Sequence, residues 1–104
     1  MATFAELQSK IQEWADMRGI LSQGITRAQA DKTMEEAQEL RSAIYQDDRD
    51  AVIDGIGDTL VTLIIQAELN DLNVVDCLEA AWLEIRDRKG SIQNGQFVRE
   101  VEDE

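Results

Sequence analysis

The sequence predicts an all-α fold, a four-helix bundle-like domain followed by a short extended tail. Three observations carry this. The 104 residues include no proline, so nothing in the backbone forbids long helices. Apolar residues recur at three- and four-residue spacing through most of the first 90 positions. Helix-starting signals separate these runs, in place of the closely spaced turns of a sandwich or barrel.

The elements follow in order. Thr3 to Glu6 is a capping box, in which each side chain satisfies a free amide. Phe4, Leu7, Ile11 and Trp14 then recur at helical spacing until Arg18 and Gly19 end the first helix. "GILSQGI" follows as an aperiodic loop. Thr26 to Gln29 is a second capping box, opening a helix that runs to about Tyr45. After a polar break, Asp47 or Asp48 caps the third helix, "AVIDGIGDTLVTLIIQAEL". Its second half is apolar nearly all round, which makes it the most buried element. Asn73 with Asp76 caps the fourth helix, expected to reach Lys89 and stop at Gly90 as a left-handed C′ residue. In the tail, an Asn-Gly turn signal precedes Phe97 and Val98, and the acidic end should fray. One domain over residues 1–90 and a tail over 91–104 are thus expected.

Charge narrows the function. With 22 acidic against 10 basic residues, the net charge is −12, which repels phosphate backbones and anionic lipid. Neither nucleic acid nor membrane is an expected partner. A small phosphorylated ligand carried with a divalent metal stays open, because the metal inverts the local sign. The chain has no histidine, and its one cysteine, Cys77, falls in an apolar helical stretch and is expected to be core filler. "MATFAELQSK" lacks the basic-then-apolar order of a signal peptide. The apolar stretch "LVTLIIQA" is too short to span a bilayer. The cytoplasm is the expected compartment.

The carboxylates carry the chemistry. On a helical wheel, Gln29, Lys32, Glu36, Glu39 and Ala43 form one stripe bordering the apolar face marked by Thr33, Leu40 and Ile44, with Glu35 flanking it. On the third helix Asp54, Asp58, Val61 and Ile65 share a face, so two aspartates begin a stripe that continues as aliphatic core. Aimed inward one turn apart, they would repel and lose hydration. Gly55 and Gly57 between them point to close approach by another element or a ligand. Glu-x-x-Glu on one helix and an acidic pair on the next are hard oxygen ligands, suited to Mg²⁺ or Mn²⁺. The same spacing also occurs on ordinary solvated faces.

At these residues the chain resembles the short, single-domain MazG-like pyrophosphohydrolases of bacteria and phages, within the all-α NTP pyrophosphatase superfamily that also holds dimeric dUTPases. The similarity runs in order through "WADMRGI", "QADKTMEEAQEL", "DGIGDTLVTL", "CLEAAWLEIRDRKG" and "NGQFVRE". The resemblance implies Mg²⁺-dependent hydrolysis of a nucleoside triphosphate to monophosphate and pyrophosphate, Mn²⁺ being a substitute. It assigns Glu36, Glu39 and Asp58 to the metal, with Asp54 standing in for a glutamate that the family usually has where this chain has Gly55. Glu35 matches an often acidic position that orients the attacking water. Lys32, Arg86, Arg88 and Lys89 are the phosphate-contact candidates, and Gln29 joins the substrate contacts. The cations near the end of the fourth helix are also favoured there by the helix dipole, and Lys32 could be an edge residue that snorkels. Trp14 and Trp82 could stack on a base or pack in the core. Leu83 replaces an asparagine common in the family.

Two other functions compete with the enzyme. One is a catalytically silent relative serving as a helical binding or scaffold module, with Gly55 and Leu83 in its favour. The other is an acidic mimic of nucleic acid, which requires carboxylates spread over an exposed surface. The resemblance and the short chain both imply a homodimer or homotetramer, its tail reaching a partner through Phe97 and Val98. Phage members of the family that draw on (d)GTP make a purine triphosphate one candidate substrate.

Overall fold

The computed structural model describes residues 1–101, and the expected frayed end at 102–104 lies outside them. The chain forms two compact units, Met1–Val74 and Val75–Glu104.

The first unit is helical throughout. Helix α1, Phe4–Met17, starts at Thr3, whose Oγ1 accepts from the Glu6 amide at 3.2 Å. Such a cap contributes about 1 kcal/mol. The reciprocal half of the expected box differs, because Glu6 Oε1 accepts from the Thr3 hydroxyl at 3.3 Å. A short helix, α2 (Ile20–Gln23), occupies the segment expected to be an aperiodic loop. Left-handed Gly19, at φ 76°, turns the chain into it.

Helix α3 spans Thr26–Tyr45, and its N-cap is Ile25, with no side-chain cap bond. The expected Thr26–Gln29 box is therefore absent. Gln29 donates from Nε2 to the Thr62 carbonyl at 3.1 Å and is not free to return to the helix start. Helix α4, Arg49–Leu69, begins at Asp48, whose Oδ1 accepts from the Ala51 amide at 3.1 Å. It packs chiefly on α3, with α1 and α2 also against it. Five α4 residues are buried, Gly55, Thr62, Ile64, Ile65 and Ala67. Full burial of an isoleucine contributes about 1.5–3 kcal/mol, so the second half of α4 anchors this unit.

Beyond Leu69, helix α5 covers Val74–Ile85, its first residue closing the first unit. The helix ends four residues before the expected Lys89. Ile85 is its last apolar residue, and the Lys89 carbonyl accepts from the Glu100 amide at 2.7 Å. Gly90 is thereby drawn into strand β1 (Gly90–Gln93), antiparallel to β2 (Gln96–Arg99), and is not a left-handed helix cap. A Cβ on Gly90 would stand 2.5 Å from Cζ of Phe97, whose ring covers that backbone. Asn94 and Gly95, both at positive φ (52° and 80°), form the two-residue turn that the sequence signals. Every described residue of the second unit is exposed, Cys77 included, so Cys77 is not core filler.

Among the described residues no helix is long and apolar enough to cross a membrane.

Candidate functional site

The α3 stripe reaches its position because two residues hold α3 against α4. Gly55 is buried, and a Cβ there would stand 3.0 Å from both Cα and Cβ of Leu40. This is the close backbone approach that a glycine inside a helix implies. Gly57 shows no such contact, with nothing within 4 Å of its Cβ position. The Gln29 bond to the Thr62 carbonyl ties the same helices together further along.

Glu36 is thereby carried into the packed layer and is only 9% exposed. Its Oε1 pairs with Lys32 Nζ at 3.3 Å, while its buried Oε2 has no hydrogen-bond partner. A buried acceptor left unpaired costs about 1–3 kcal/mol in general. Lys32 Nζ also lies 3.5 Å from Glu35 Oε1, and about half of each of those two side chains faces solvent. Hydrogen bonding to Glu36, followed by attraction to Glu35, holds the Lys32 ammonium above its ordinary pKa. Repulsion from Glu36 is the main influence on Glu39 and pushes its carboxyl above the usual value. Three glutamates therefore share a patch with a single lysine, which leaves the carboxylates in excess.

Asp54 and Asp58 take different surroundings. Both are exposed, contrary to the inward aim expected of them. They border a groove of about 380 Å³ between α1 and α4, lined mainly by apolar side chains such as Phe4, Leu7, Ile11 and Ile64. Along their face burial increases with position, Val61 being half-buried and Ile65 buried. Among the described residues, no three carboxylate or thiol groups are gathered closely enough to hold a metal ion by themselves.

The other candidates are dispersed. The side-chain amide of Gln29 is committed to the helix pair. Trp14 lies on α1 and is 47% exposed, so its ring is not fully committed to the core. Arg86, Arg88 and Lys89 belong to the second unit, where Arg86 Nε lies 3.6 Å from Asp87 Oδ2. Arg88 and Lys89 line a cleft there with Arg99, Glu84, Asp87 and Glu100. Sequence reasoning missed Gln8 and Thr62, both buried. Gln8 Nε2 donates to Asn73 Oδ1 at 3.3 Å, and Gln12 Nε2 donates to Glu68 Oε1 at 2.5 Å. The signal for Gln8 was present, since it falls four residues after Phe4 and seven before Ala15 on the inward stripe of α1.

Known proteins resemble the chain at this helix pair. The MazG nucleotide pyrophosphohydrolase domain matches residues 26–89, which take in α3, α4 and α5. A relative from Haemophilus phage HP1 (strain HP1c1), an uncharacterized 18.2 kDa protein in the rep-hol intergenic region, is 33% identical over 75 residues. That similarity covers 72% of this chain and 46% of the phage protein, so the chain spans about half the length of its relative. No solved structure matches. With more than half of its residues in the family match, the two acidic helices among them, this chain belongs to the MazG nucleotide pyrophosphohydrolase domain family.

Proposed function

We propose that the protein hydrolyses a nucleoside or deoxynucleoside triphosphate to the monophosphate and pyrophosphate, using Mg²⁺ gathered by the carboxylates of α3 and α4. The observation that carries this is the buried, unpaired Oε2 of Glu36 beside a Glu39 carboxyl that it repels. Two such oxygens fit a hard divalent cation. Mg²⁺ characteristically takes one or two protein carboxylates and completes its shell with water and substrate phosphate. Glu36 and Glu39 are the primary ligands on this account; the family resemblance adds Asp58 and Asp54 of the neighbouring helix, which border the α1–α4 groove and are not gathered with the α3 pair among the described residues. Bound metal supplies charge neutralisation on the triphosphate and lowers the pKa of a coordinated water.

The protein's own groups do the rest. Glu35, more than half exposed, orients the attacking water on this reading. Lys32 holds phosphate oxygens, and Arg86, Arg88 and Lys89 are assigned the same task by family correspondence. Trp14 is the candidate to stack on the base.

Self-association belongs to the same proposal. Ile53, Ile56, Leu60 and Leu63 of α4 and Leu78, Trp82 and Leu83 of α5 are all large, apolar and exposed. A homodimer or homotetramer would cover them, and light scattering measures it directly. A cytoplasmic location suits this chemistry.

The test is a panel of NTPs and dNTPs, GTP and dGTP included, assayed with Mg²⁺ or Mn²⁺ for pyrophosphate. Release from at least one substrate, lost on metal removal, is expected. Silence across the panel would favour the binding-module reading. Gly55 supports that alternative, because the packed Leu40 leaves no room there for the family's usual glutamate.

A further inference from the structure

Lys32 has a position that phosphate binding alone does not explain. Its ammonium sits on the carboxylates that the proposed metal needs, 3.3 Å from Glu36 Oε1 and 3.5 Å from Glu35 Oε1. In the helix it precedes Glu36 by four residues, the less favourable order for a Lys–Glu pair. Half of its side chain is exposed, so it gives up little packing by leaving. Glu36 cannot leave in the same way, because its backbone is fixed by the α3–α4 contact and the residue is 9% exposed. A mobile cation thus rests on an immobile, incompletely satisfied anion.

We infer that Lys32 is a resident counter-ion that competes with the divalent metal for Glu36 and swings away when the metal enters. This rests on the metal reading above and adds a sign to it. A residue that only contacts phosphate would leave metal affinity unchanged or raise it. A competitor lowers it. The same displacement frees the ammonium for the triphosphate arriving with the metal, so metal and nucleotide favour each other's binding through one side chain.

The experiment measures Mn²⁺ binding to the intact protein without nucleotide, following free Mn²⁺ by electron paramagnetic resonance. Wild type is compared with Lys32→Gln, Lys32→Arg, Glu36→Gln and, as a control for lost positive charge, Arg27→Gln. Lys32→Gln should bind Mn²⁺ about three- to fivefold more tightly, the upper part of the range expected for removing one exposed ion-pair partner. Lys32→Arg, which keeps a cation on Glu36, should stay within about twofold of wild type, as should Arg27→Gln. A second readout needs no variant. Mn²⁺ should speed chemical methylation of the Lys32 amine relative to that of Lys10. Mn²⁺ binding that is lost in Glu36→Gln but equal or weaker in Lys32→Gln would overturn the competition and leave the metal reading intact. Equal Mn²⁺ binding by wild type and Glu36→Gln would overturn both.

Discussion

Two pairs of carboxylates, one on each of two packed helices, reach opposite environments. Glu36 and Glu39 lie one turn apart on α3, as Asp54 and Asp58 do on α4, and both pairs border apolar residues on the wheel. Only the α3 pair contains a buried member. Only that pair has a lysine on it and an oxygen left unpaired. The aspartates are exposed and border the open groove between α1 and α4. Wheel position therefore does not decide which carboxylate is strained. The approach of a second backbone does, and here that approach is set by Gly55 against Leu40.

The largest expected effect separates the pairs by turnover. Glu36→Gln and Glu39→Gln should each lower kcat at least about a hundredfold, the scale of removing one group that stabilises transition-state charge, while helical circular dichroism is unchanged. Asp58→Asn should do the same if the α4 pair completes the metal shell. Asp54→Asn sharpens the comparison, since near-wild-type activity would show that Asp54 does not replace the missing glutamate and would make Glu35 the better fourth ligand.

The next effect concerns the glycines that set the helix contact. In a helix interior alanine gains about 1 kcal/mol over glycine. At Gly57, where nothing lies within 4 Å, Gly57→Ala should show that gain as a higher Tm. At Gly55 the added methyl meets the Leu40 backbone, and overpacking of about 1–3 kcal/mol outweighs the gain. Gly55→Ala should therefore lower Tm, and a rise at both positions would break the account of why Glu36 is buried.

These glycines also mark what was legible in the sequence. Periodicity gave the ends of α3 and α4 to within about two residues, and the Asn-Gly pair gave the hairpin turn. The stripe of Lys32, Glu36 and Glu39 at the edge of the apolar face was legible for the same reason. The early end of α5 was not, because the competing bond to the Lys89 carbonyl comes from Glu100, eleven positions away. Nor was the exposure of Asp54 and Asp58, which depends on how α1 crosses α4 and not on the repeat within α4. Gln29 looked like a capping residue and a substrate contact, and only the tertiary structure shows its amide held by Thr62.

A smaller effect should appear in the pH dependence of stability. The folded pKa of Glu39 is raised above its ordinary 4.5. Stability from this group is therefore fully present below about pH 4.5 and lost as pH rises through the raised value. Glu39→Gln removes that loss. Without metal, the variant should melt above wild type at pH 7, and the difference should close as pH falls toward 4. A Tm below wild type at pH 7 would show that Glu36 and Glu39 do not repel.

We propose that the α3 carboxylates are held in want of a divalent cation. The most direct measurement is thermal unfolding with and without millimolar Mn²⁺ and a non-hydrolysable triphosphate, comparing wild type with Glu36→Gln. A ligand at a hundred times its Kd stabilises the folded state by about 2.7 kcal/mol, several degrees in Tm for a chain of this size. That rise is expected in wild type and not in Glu36→Gln. An unchanged wild-type Tm, or an equal rise in both proteins, would contradict the proposal.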